Sequence, residues 1–90
     1  MEDYSVIYKG TLTALDTEIF NDAKGCITKN FIFSNTQAQV TQVTLTFDDV
    51  PFSFELQANE FKHLDMTMFT QKIIATGENV NIHISGLQIT

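Results

Sequence analysis

The sequence predicts an all-β domain: a two-layer antiparallel β-sandwich of about eight short strands with jelly-roll or Greek-key-like connections. Three observations lead there. Apolar and polar residues alternate with a period of two over short runs, as in Val43, Leu45 and Phe47 against Gln42, Thr44 and Thr46. Polar or glycine-bearing turn signals separate these runs at close spacing. No stretch of about ten or more residues carries a helical apolar stripe, so no crossover helix exists for a βαβ unit.

The first strand is expected from Ser5 to Thr13, interrupted by Gly10, and a short strand Thr17–Phe20 follows. Asn21–Gly25 reads as a turn, with Gly25 available for a positive φ. In Cys26–Ser34, one parity holds Ile27, Lys29, Phe31 and Phe33, which makes it the expected core face with Lys29 snorkelling or at the wet end. Asn35–Gln39 is polar and turns the chain. Val40–Phe47 and Phe52–Leu56 read as a hairpin across Asp48-Asp49, with Pro51 limiting backbone donation where the second arm begins. After Ala58–Glu60, Leu64, Met66 and Met68 share one parity, and His63, Asp65, Thr67 and Phe69 share the other. Lys72–Ala75 is a short strand and Thr76–Asn79 a turn. Val80–Ser85 is the last main strand, broken by Gly86, with Leu87–Thr90 extending it along an edge.

Length and charge restrict the function classes. Ninety residues make one domain, 1–90, with a small core and modest free stability. Five Lys and Arg against 11 Asp and Glu give a net charge of -6. Such a surface repels phosphate, so neither nucleic acid nor an anionic membrane is an expected partner. No apolar run approaches the roughly 20 residues of a membrane helix. Met1-Glu2-Asp3 has no export leader, and the single cysteine, Cys26, forms no intrachain disulfide. Synthesis in a reducing cytoplasm is the expectation.

The chemistry-bearing residues are sparse. His63 and His83 lack a nucleophile or metal-ligand spacing, and Asp65 only shares a strand face with His63. Cys26 has no helix terminus to activate it. Asp16, Glu18 and Asp22 in one turn region, and Asp48 and Asp49 in another, match no calcium-loop spacing and read as solvated charge. The four glycines are isolated, so no phosphate-binding loop exists. No enzyme activity, cofactor or metal is expected. Most Phe residues fit core positions. Phe61 and Phe69 do not, and with Ile73 and Ile74 they form the expected interface.

The order of segments resembles small phage virion proteins encoded among head, tail and fibre genes. The resemblance is carried by Tyr8-Lys-Gly-Thr-Leu-Thr13, Ile27-Thr-Lys-Asn-Phe-Ile-Phe-Ser-Asn-Thr36, Val40-Thr-Gln-Val-Thr-Leu-Thr-Phe47, Thr76-Gly-Glu-Asn79 and Val80-Asn-Ile-His-Ile-Ser-Gly86. It spans Tyr8 to Gly86 and departs at Glu78, where such sequences often carry Asp. It implies a non-catalytic β-sandwich that assembles on or into a virion. The implied partners are copies of itself and a larger phage structural protein, after synthesis in the host cytoplasm. The alternative from a different class is a carbohydrate-binding module stacking sugars on Phe61 or Phe69.

Overall fold

The computed structural model describes residues 5–89; the amino-terminal Met1-Glu2-Asp3 segment and Thr90 lie outside them. Six strands follow one another: β1 (Ser5–Thr11), β2 (Thr17–Asn35), β3 (Thr41–Phe47), β4 (Val50–Leu56), β5 (Phe61–Thr76) and β6 (Val80–Gln88). They form one antiparallel sheet in the order β1-β6-β2-β5-β3-β4. The chain is all-β and antiparallel, as expected, with six strands in one continuous sheet where about eight short strands were expected. Among the described residues no helix is long and apolar enough to cross a membrane.

The difference in strand count has a local cause. Asn21–Gly25 does not end a strand; it is a wide bulge inside β2. Asn21 pairs with Lys72 and Cys26 with Thr70, so residues 22–25 stand opposite Gln71 alone. Gly25 takes a φ of 83° there. Extra residues on one strand bend it and increase its twist. On the partner, Phe61–Thr70 and Lys72–Ala75 join into the single strand β5.

The bend divides the pairings. Residues 26–35 of β2 lie between β6 and residues 61–70 of β5, while β1 covers the far side of β6. Residues 17–21 of β2 pair with 72–75 of β5, which pair onward with β3. The β3–β4 hairpin thereby folds over the face of β2. Phe31 meets Phe47 edge-on at 5.8 Å, and Phe33 meets Phe54 at 5.1 Å. Phe31, Phe33, Leu45, Ile73, Ile84 and Val80 lie in one buried cluster. Full burial of one such side chain contributes about 1.5–3 kcal/mol.

A second bulge decides which residues of β2 face inward. The register shifts between Thr28 and Asn30 against both β5 and β6. Cys26 and Thr28 are buried before it, and Phe31 and Phe33 after it. Against β6 Lys29 is the extra residue; against β5 it stands opposite both Met66 and Thr67. Lys29 and Ile27 are both half-buried, and neither belongs to the buried cluster. The buried Thr28 hydroxyl donates to the Met66 carbonyl at 3.0 Å, so its polar atom is satisfied. Gly86 pairs with Thr28 at this bulge; a β-carbon on it would collide with the Ile27 carbonyl oxygen and the Thr28 Cα.

The hairpin is as expected. Val43 pairs with Phe54, Leu45 with Phe52, and Phe47 with Val50. Asp48 and Asp49 have φ of 48° and 70°, the two positive values of a type I′ turn. Pro51 sits in the edge strand β4, where its missing N–H costs the sheet least.

At one end the buried Asn35 gathers the loops. Its amide nitrogen donates to the Gln39 and Gln57 carbonyls at 2.9 and 3.0 Å. Its oxygen accepts from the Gln37 backbone N–H at 3.1 Å.

Candidate functional site

The folding-over leaves one side of the molecule open. Residues 61–70 of β5 have β2 on one edge; among the described residues their other edge has no ladder partner. The outer edge of β4 has none either. These two edges flank an apolar slot of about 120 Å³ lined by Leu45, Phe47, Phe52, Phe54, Leu64, Met66 and Met68. Leu64, Met66 and Met68 come from alternate positions of β5 and are only half-buried. Phe52 hangs at the mouth with 54% of its surface exposed. Lys62 lies toward one end, its Nζ 5.6 Å from the centre of the Phe54 ring and 3.9 Å from the Glu60 carboxylate. Methionines suit such a surface, since the unbranched thioether adapts to what covers it.

The expected interface residues are dispersed. Phe61 and Phe69 are exposed, at 67% and 55%, on the outer face of β5, turned away from the slot. They stand at opposite ends of its free stretch, roughly 27 Å apart along the strand. Ile73 is fully buried in the core and is no surface residue; Ile74, opposite Glu18 and Thr46, is half-buried. The inner face past Thr70 belongs to odd-numbered Ile73 and Ala75, whereas before it Leu64, Met66 and Met68 face inward. This change at the bend is why Ile73 sits inside. In the sequence Leu64, Met66 and Met68 stand out only as residues of one parity, which carries no sign that their cover is incomplete.

The titratable groups do not converge. His63 Nε2 lies 2.9 Å from Asn30 Oδ1. His83 Nδ1 is buried with no hydrogen-bond partner among the described residues. Ile32 pairs with both His63 and His83, so the backbones of the two histidines are separated by two strand spacings, roughly 9–10 Å. Cys26 is buried in the core, and its thiol is pushed up to about 11 by burial and by the Asp48 charge.

The bend does bring Asp22, Asp48 and Asp49 to one polar cleft, beside Gln71 and Lys72. Two of these carboxylates serve the backbone. Asp48 accepts from the Gln71 and Lys72 N–H groups at 3.0 Å, and Asp22 from the Lys24 N–H at 2.9 Å. Among the described residues no group of three or more His, Cys, Asp or Glu is placed to hold a metal ion. In comparisons with known proteins, no protein-family model matches the chain and no curated protein matches it significantly.

Proposed function

We propose that this chain is a structural, self-associating component of a phage virion, built on a minimal jelly roll and without catalytic activity. The observation that carries the reading is the apolar slot between two unpaired strand edges. Exposed edges are templates for pairing with another chain and are normally blunted or covered. Here they flank half-buried Leu64, Met66 and Met68, so a partner strand would find hydrogen-bonding groups and apolar surface together.

The two-layer, jelly-roll description draws support from the pairings. β1 pairs with β6, β2 with β5, and β3 with β4, the order of a long ribbon folded on itself. Each half of the bent β2 and β5 counts as a strand in its own layer. One layer is then β1, β6 and the 26–35 and 61–70 segments. The other is the 17–21 and 72–75 segments with β3 and β4. The virion assignment rests on the sequence resemblance, with a larger phage structural protein as the second partner. The carbohydrate reading would need Phe61 and Phe69 to act as separate platforms, given their distance along β5.

Sedimentation equilibrium from micromolar to millimolar concentration tests the self-association. The protein is expected to form reversible oligomers, and Met66→Lys to weaken them by about tenfold or more. A chain that stays monomeric throughout, and that antibodies fail to detect on purified particles, would refute the proposal.

A further inference from the structure

We infer that Asp48 latches a hinge in β5 at Gln71, and that this hinge sets the width of the apolar slot. The two walls of the slot lie on opposite sides of the bend. Leu64, Met66 and Met68 come from β5 before it; Phe47 and Phe52 come from the hairpin, which pairs with β5 only beyond it, at residues 73–76. A change in the angle of the bend therefore widens or narrows the slot. The latch is independent of what covers the slot and so goes beyond the assembly reading.

The ladder is interrupted on both sides of Gln71. On the β2 side, residues 22–25 stand opposite it without regular pairing. On the β3 side, the ladder ends at Phe47 and Ile73. Side chains take over between. Asp48 Oδ1 accepts from the Gln71 N–H and from the Lys72 N–H, each at 3.0 Å. In a regular strand successive N–H groups point to opposite edges. Two consecutive ones reach the same oxygen only where the strand is kinked, so the carboxylate favours the bent form over the straight one. The Asp48 N–H donates to the Lys72 carbonyl at 3.0 Å and fixes the hairpin tip at the same place. From the other side, Gln71 Nε2 donates to the Ala23 carbonyl at 2.6 Å and ties the bulge to the kink. A bend held by side chains between two ladders is the segment that opens below the free energy of global unfolding.

The test compares two substitutions in the full chain at one pH. Asp48→Gly removes the carboxylate but keeps the positive φ of 48° that the turn needs. Asp48→Asn removes the same charge and keeps an acceptor oxygen. Cys26 is buried and pairs with Thr70 beside the kink, so its labelling by a thiol reagent reports on the hinge. In Asp48→Gly that labelling is expected to be about tenfold or more faster than in the parent protein, at a rate that low urea leaves unaltered. The methyl resonances of Met66 and Met68, which share the slot with the Phe47 and Phe52 rings, are expected to move in the same variant. Asp48→Asn is expected to stay close to the parent in both respects. Equal labelling in the two variants, labelling of Asp48→Gly that rises with urea as global unfolding does, or methionine resonances that stay in place would each overturn the latch. If Asp48→Gly does not fold, Gln71→Ala decides. It removes only the tie to Ala23 and is expected to speed exchange of the residue-71 and Lys72 amides about threefold while leaving Ile82 and Ile84 unchanged. No selective change at those two amides would overturn the hinge.

Discussion

The ring of Phe69 occupies the space that a side chain on Gly25 would need. A β-carbon built on Gly25 stands 2.5 Å from Phe69 Cε2 and 2.6 Å from Cζ. Phe69 thus covers backbone that the bulge leaves bare, the way aromatic residues offset glycines in sheets. Gly25 also has a positive φ that a side chain would strain. Gly25→Ala is expected to cost about 1–3 kcal/mol, measured as a lowered urea midpoint. In a Phe69→Ala background the same change should cost less, because the clash is gone and only the backbone strain remains. Equal costs in the two backgrounds would show that the ring and the glycine are not coupled.

Asn35 is the buried polar group with the largest structural task. Its side chain joins the β2 terminus to the loops carrying Gln39 and Gln57. Asn35→Ala leaves those carbonyls without their donor and opens a small void, for an expected loss of about 2–4 kcal/mol in chemical denaturation.

Gly86 and Gly10 occupy neighbouring strands and should respond differently to alanine. At Gly86 a β-carbon meets fixed backbone of β2, while at Gly10 it meets the Tyr8 ring, with the hydroxyl oxygen nearest at 3.1 Å. A tyrosine ring can rotate aside and a paired strand cannot. Gly86→Ala is expected to lower the melting temperature severely or prevent folding, and Gly10→Ala to shift it by only a few degrees.

Cys26 should behave as a silent thiol. Its folded value is raised from 9.0 to about 11, first by burial and then by the Asp48 charge. The folded state therefore holds the proton more tightly than the unfolded chain. The corresponding stability is complete below about pH 9, falls as pH rises, and is lost by about pH 11. Thiol-reactive reagents at neutral pH are expected to label it only at the rate of unfolding, so labelling should accelerate with urea. Rapid labelling of the native protein would contradict its burial.

The sequence and the structure agree most where a strand repeats without interruption. The β3–β4 hairpin was legible because Val43, Leu45 and Phe47 alternate cleanly up to a two-residue turn, and it closes in that register. The β2 faces were harder to read. A bulge leaves no compositional mark, so Lys29 shared a parity with Phe31 and Phe33 in the sequence but not in the sheet. Asn21–Gly25 carried the same polar signal as a turn, because a wide bulge and a turn both need a polar stretch and a glycine. The slot was legible only as an apolar stripe. Whether Leu64, Met66 and Met68 are covered depends on how far the β3–β4 hairpin reaches after the bend, which is a property of the whole sheet.

Amide hydrogen exchange along β5, followed over a range of protein concentrations, tests the open edge most directly. The backbone N–H groups of residues 61–70 that point away from β2 should exchange quickly in dilute protein and become protected as concentration rises. Those of Ile73 and Ala75, flanked by β2 and β3, should be protected throughout. Edge amides of residues 61–70 whose exchange is the same at every concentration would contradict assembly through this edge.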